Sequence, residues 1–114
     1  MNKENEISQN IKKMITDNEV VLFMKGDPDF PQCGFSANVV GILNHFNVKY
    51  KSYNVLQDND LRQGIKDYSD WPTVPQIYIK NQFIGGCDIL NEMMQNNEIE
   101  DLFKENGINY SINP

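Results

Sequence analysis

Cys33 stands alone at the head of a helix-like run, in FPQCGFSANVVG (Phe30 to Gly41), and the residue three places on, where a second thiol would complete a C-x-x-C pair, is Ser36. Between a Pro-rich loop and a helix, the sulfur of Cys33 meets the first free N–H groups and the positive end of the helix dipole. Lys25, on the other side of the same loop, adds a positive charge, and both effects favour the thiolate that acts as nucleophile or metal ligand. The competing role, a cysteine packed as a small hydrophobe, fits poorly with Pro31, Gln32 and Gly34 as neighbours. In a C-x-x-C protein the second thiol attacks the mixed disulfide and releases the substrate, which Ser36 cannot do. Its hydroxyl either hydrogen-bonds the thiolate or serves as an ordinary helix-start residue. Cys33 must then be resolved by an external thiol, use Cys87, or do something other than disulfide exchange.

Cys87 follows Gly85-Gly86 and precedes Asp88 at the start of the last helical segment. Two glycines leave the backbone N–H groups open to an approaching anion, and a helix start favours a carboxylate. For the Cys87 sulfur the expected role is packing; for its backbone N–H it is binding. In WPTVPQIYI, a cis Val74–Pro75 bond would leave the Val74 main chain, next to Thr73, unpaired at a sheet edge beside Cys33, where an extended peptide pairs as an added strand. The alternative is a plain edge-strand proline. Arg62, the chain's single arginine, and Lys66 share one helix face at i, i+4. Such a pair holds a carboxylate, with Arg making the bidentate contact, although exposed helix charges are more often just solvated. His45 has no chemical partner nearby and reads as a helix-surface residue. Together these groups suit a small, peptide-like, doubly carboxylated thiol beside a thiolate, a description that glutathione fits.

The elements that must position them are legible from periodicity. Ile7, Ile11, Met14 and Ile15 mark an amphipathic helix over about 5–17, and VVLFM, Val20 to Met24, is a strand buried on both faces. A loop through KGDPDFPQ precedes a helix from Gly34 to about Asn44, and VKYKSYNV, Val48 to Val55, alternates as a second strand. A crossover of this kind is right-handed and makes the two strands parallel. A helix capped by Asp58 or Asp60 follows, with Leu61, Ile65 and Tyr68 on one stripe. A hairpin then turns around Lys80-Asn81-Gln82, and one or two closing helices run from Asp88 to Asn106 before Gly107. The order α-β-α-β-α-β-β-α predicts an α/β, thioredoxin-like fold: a four-stranded mixed sheet with helices on both faces and an extra N-terminal helix. The last residues, about 108–114, are expected to fray.

Composition excludes several classes. The 114 residues, 39% hydrophobic and 23% charged, make one domain over 1–114. No apolar run approaches the length of a membrane span. The first twenty residues lack an apolar segment and carry acid from position 4, so a cytoplasmic or already processed protein is expected. A net charge of −6 argues against nucleic acid as a partner, and two cysteines are too few for a disulfide framework or a zinc site.

In order and spacing, MKGDPDFPQCGFS, WPTVPQIYI and FIGGCD resemble the monothiol, CGFS-type glutaredoxins, and the similarity runs from about Val20 to Gly107. The resemblance implies a [2Fe-2S] cluster held between two protomers by one cysteine from each and by the thiols of two glutathiones, for transfer to apo iron-sulfur acceptor proteins. It implies that Cys33 is the cluster ligand and the only catalytic thiol. Lys25, Arg62, Thr73-Val74-Pro75 and Gly86-Cys87-Asp88 would hold glutathione, with Phe35 lining the site and Lys66 a weaker contributor. It also allows a BolA-like partner in place of one protomer. Val74, where isoleucine or phenylalanine is frequent, and the lack of Asn-Gly in the hairpin are its small departures. The alternative is a glutathione-dependent oxidoreductase that removes glutathione from mixed disulfides through Cys33 alone; a redox-inert interaction module is disfavoured by the intact site.

Overall fold

The computed structural model describes residues 2–112. Its elements run α1 (Lys3–Thr16), β1 (Val20–Met24), α2 (Gly34–His45), β2 (Lys51–Asn54), a 3₁₀ turn (Val55–Gln57), α3 (Asn59–Ser69), β3 (Gln76–Ile79), β4 (Gln82–Gly85), α4 (Cys87–Gln95) and α5 (Ile99–Glu105). The sheet order is β2-β1-β3-β4, with β1 and β2 parallel and the other two pairs antiparallel.

The unbroken apolar run of β1 is explained by helices on both faces. Val20, Leu22 and Met24 pack with residues of α2, α4 and α5, whereas Val21 and Phe23 pack with Ile11 and Ile15 of α1 and Leu61 and Ile65 of α3. Period-2 alternation thus sends successive side chains of one strand into two different cores. In the β3–β4 hairpin, Lys80 and Asn81 both have positive φ, 49° and 71°, as a two-residue turn matched to strand twist requires. Asp58 caps α3, its carboxylate accepting the Asp60 and Leu61 N–H groups.

Two expectations are corrected. The second strand is four residues long instead of spanning 48–55: it pairs only with Val21 to Met24 of β1, Val48 is absorbed into the core before it, and Val55 already belongs to the 3₁₀ turn, started by Asn54 Oδ1 accepting the Leu56 N–H. The tail is tied down as far as it is described. Ile108 is buried, the Tyr110 ring lies against Phe46 and Phe103, and Ser111 N donates to Phe46 O at 2.8 Å. Two apolar side chains and a backbone hydrogen bond outweigh the entropy that frees most termini. The rest of the expected frayed segment, residues 113 and 114, lies outside the described residues.

Candidate functional site

Cys33 is the N-cap of α2, with extended backbone (φ −157°, ψ 139°) and no side-chain capping bond, so its sulfur is left beside the unpaired N–H groups of the first turn. Burial raises its pKa, but the hydrogen bonds from Ser36 and Phe35 N–H, the Ser36 hydroxyl and the charge of Lys25 outweigh it and hold the thiol below its ordinary value. The thiol is free and half-buried, a sulfur that is both ionisable and reachable.

Of the two roles left open for Ser36, the structure selects contact with the site, because Cys33 itself is the cap. Ser36 is the third residue of α2 and fully buried, and its Oγ accepts the Lys25 N–H at 3.1 Å. It therefore ties the end of β1 to the start of the helix. The loop between them is closed by Gln32 N donating to Lys25 O (2.9 Å) and Gly26 N donating to Asn54 Oδ1 (2.9 Å). Gly26 has φ +86°, and a Cβ there would lie 2.5 Å from Phe30 O, so this closure needs glycine.

Beside the thiol lies a groove of about 360 Å³, lined by Phe35, Trp71, Thr73, Val74, Pro75, Gly86, Cys87, Asp88 and Ile89. Seven of the residues singled out from sequence thus meet in one place. The Val74–Pro75 bond is cis. The Val74 side chain is packed with Val21 and Phe23 in the core. Gly86 closes the junction: a Cβ on it would stand 2.7 Å from Pro75 O, so only glycine lets the α4 start press against the Thr73-Val74-Pro75 segment. Gly86 caps α4 without a side-chain bond, leaving the first N–H groups of that helix for a ligand.

Cys87 is buried, and its thiol donates to Asn38 Oδ1 (3.4 Å) and accepts from Asn91 Nδ2 (3.3 Å). Burial pushes its pKa up, Asp88 and the charge of Cys33 add to the rise, and Asn91 opposes it. The two cysteines are thus close enough to feel each other yet are held in opposite protonation states. Arg62 and Lys66 are half-buried on α3 but are not among the groove-lining residues, and none of the ion pairs among the described residues engages them. His45 lies in the last turn of α2, exposed, its ring edge-on to Phe46.

Sequence reasoning missed Trp71 and Ile89 in the lining, and it missed Gln76. That side chain is fully buried, its Nε2 donating to the Trp71 (3.3 Å) and Thr73 (3.1 Å) carbonyls while its Oε1 accepts from Tyr78 OH (3.1 Å). It fixes the groove wall from behind. A polar residue inside the apolar run PQIYI was the available signal, since a buried amide needs partners.

A family model described as Glutaredoxin matches residues 20–84. Probable monothiol glutaredoxin 2 of Rickettsia typhi is 49% identical over 102 residues, 90% of this chain and 92% of that protein. Monothiol glutaredoxin-5, mitochondrial, of Saccharomyces cerevisiae is 48% identical over 103 residues, 88% of this chain and 69% of that protein. Among solved structures, reduced apo GrxS14 of poplar matches with a TM-score of 0.76 at 47% identity, covering 87% of this chain and 91% of that one. The neighbours are glutaredoxins, whose fold is thioredoxin-like, as expected from the element order.

Proposed function

We propose, from the premise that this chain belongs to the monothiol glutaredoxin family, that it carries a [2Fe-2S] cluster as cargo, bound between two protomers with glutathione, and hands it to apo iron-sulfur acceptor proteins. The observation that carries this reading is the single stabilised thiolate at the start of α2 with no second ligand of its own. A cluster takes four sulfur ligands. Among the described residues no group of three or more His, Cys, Asp or Glu side chains is gathered to hold a metal, and the Cys87 thiol is engaged elsewhere. One chain alone therefore offers one thiolate, and two chains plus two external thiols complete the set.

Glutathione is the family's thiol cosubstrate, and the groove suits it. Its volume lies within the range of small-ligand sites, about 300–1,000 Å³. The main chain of Thr73-Val74-Pro75 offers an edge to an extended peptide, and the N–H groups of Cys87 and Asp88 offer a carboxylate site at the α4 start. Phe35 forms a wall, and Lys25 faces the thiolate. Arg62 and Lys66 contribute longer-range attraction for the second carboxylate. In this reading a BolA-like protein can take the place of one protomer, and the protein resides in the cytoplasm; subcellular fractionation tests the latter against an organelle of the kind named for the yeast relative.

The test is anaerobic reconstitution with ferrous iron, sulfide and glutathione, followed by visible absorbance, circular dichroism and gel filtration. A red-brown dimer that requires glutathione is the expected result; a colourless monomer overturns the reading. One observation favours a second activity: the lowered pKa and accessibility of Cys33 also suit glutathione-dependent reduction of mixed disulfides. Sustained turnover in a glutathione-coupled assay by a protein that fails to hold a cluster would establish that activity instead.

A further inference from the structure

The Cys87 thiol is a buried nucleophile that the proposed function does not use, although it feels the charge of Cys33. We propose that Asn38 and Asn91 are positioning residues that clasp this thiol and keep it from resolving Cys33, so that the chain's single-thiol behaviour is set at Cys87 as well as at Ser36. The inference rests on Cys33 being a thiol that exchanges with glutathione.

The geometry of the clasp is specific to a protonated sulfur. Cys87 opens α4, Asn91 stands one turn further along the same helix, and Asn38 reaches over from α2. The S–H donates to Asn38 Oδ1 and the sulfur accepts from Asn91 Nδ2, so both hydrogen-bonding capacities of a thiol are used. A thiolate has no proton to give, and its charge would face the lone pairs of Asn38 Oδ1. Asn38 also lies further along α2 than Cys33, so the clasp holds the sulfur alongside the helix body and away from the helix start.

The chemistry that is suppressed balances as follows. The Cys33 thiolate attacks a disulfide of glutathione, forming a Cys33–glutathione bond and releasing one glutathione thiolate. Cys87, after giving its proton to solvent, would attack the Cys33 sulfur, form the Cys33–Cys87 bond and expel the second glutathione thiolate, which takes up a proton. The two cysteines lose two electrons and the glutathione disulfide gains them. Cys87 must leave both asparagines to take this second step.

The test treats the reduced full chain with excess glutathione disulfide, quenches by alkylation and follows intact mass. Wild type is expected to accumulate the glutathione adduct, whereas Asn38→Ala/Asn91→Ala converts to the internal disulfide at least about tenfold faster, the combined effect of two modest hydrogen bonds. Asn38→Asp, which retains an acceptor oxygen, should stay near wild type. Equal conversion rates for wild type and the double variant overturn the proposal, whether both are fast or neither converts. Asn38 is exposed, so its truncation leaves the core intact. A second measurement is independent of glutathione: in a Cys33→Ser background, iodoacetamide should label Cys87 several-fold faster once the two asparagines are alanine, and equal labelling overturns the clasp. A wild type that takes up no glutathione at Cys33 refutes the glutathione reading alone, because the labelling comparison still decides the role of the asparagines.

Discussion

Replacing Ser36 by alanine separates two jobs that one hydroxyl does. Its Oγ accepts the Lys25 N–H at 3.1 Å in a fully buried position, so Ser36→Ala leaves a partly buried backbone donor without a partner. That costs about 1–2 kcal/mol, which at a slope of about 1–2 kcal/mol per molar urea lowers the unfolding midpoint by roughly 0.5–2 M. The same hydroxyl is one of the groups holding the Cys33 pKa down, the others being the Ser36 and Phe35 N–H groups and Lys25. Removing it while the backbone N–H groups and the lysine remain moves that pKa up, toward its ordinary value. The iodoacetamide-labelling profile of Cys33, read by peptide mass, should therefore shift to higher pH. A midpoint and a profile both unchanged would refute the role assigned to Ser36. A lower midpoint with an unmoved profile would leave it only the tie between β1 and α2. Ser36→Thr keeps the hydroxyl but forces a methyl group into a site with no exposed surface, so it should preserve the labelling profile while losing stability to overpacking.

Cys33→Ser should abolish both cluster absorbance and the glutathione adduct, and a variant that kept a full-strength cluster would remove Cys33 from the ligand set. Gly86→Ala places a Cβ 2.7 Å from Pro75 O; backbone cannot yield as a side-chain tip can, so stability should fall by about 1–3 kcal/mol and glutathione affinity with it, measured by urea unfolding and calorimetric titration. Burial, reinforced by Tyr68, pushes the Tyr78 phenol from 10.0 up to about 12. Its folded pKa is raised, so the associated stability is fully present below pH 10.0 and is lost as pH rises through about 12. Tyr78→Phe should weaken that alkaline decline in a series of urea midpoints, and an identical decline in the variant would show that another group causes it.

How much of this was legible depends on whether a feature is local. The continuous apolar β1, the helical period of α2 and the Asp58 cap of α3 are properties of neighbouring residues, and each appears where the sequence places it. The second strand was drawn too long because alternation continues beyond it, whereas a strand's length is set by its partner, and β1 has only five residues. The tail was expected to fray because the docking of Ser111 on Phe46 joins parts of the chain far apart in sequence. The groove was legible through three motifs, since close-approach glycines, turn prolines and a helix-start cysteine have recognisable neighbours. Its supports were not: Asn54 holds the Gly26 loop, Gln76 holds the Thr73 carbonyl and Asn38 holds Cys87 across gaps that no periodicity connects.

Those hidden supports bear on why one thiol suffices. A carrier has to keep its sulfur ligand ionised, reachable and reduced, yet an ionised, reachable thiol beside a second one is the arrangement that oxidises to a disulfide. At position 36 the competing thiol is replaced by a hydroxyl, which still hydrogen-bonds Cys33 but cannot take it as a disulfide partner. At position 87 a thiol remains, packed in the groove wall, and the burial and carboxylate that raise its pKa act opposite to the amides and lysine that lower that of Cys33. The two environments are not independent, because a thiolate at Cys33 itself disfavours a second one at Cys87. Ionising the ligand and disarming its neighbour are therefore one electrostatic arrangement. A cluster that bound Cys33 and drew off its charge would weaken the restraint on Cys87, leaving the two asparagines to maintain it in the loaded state.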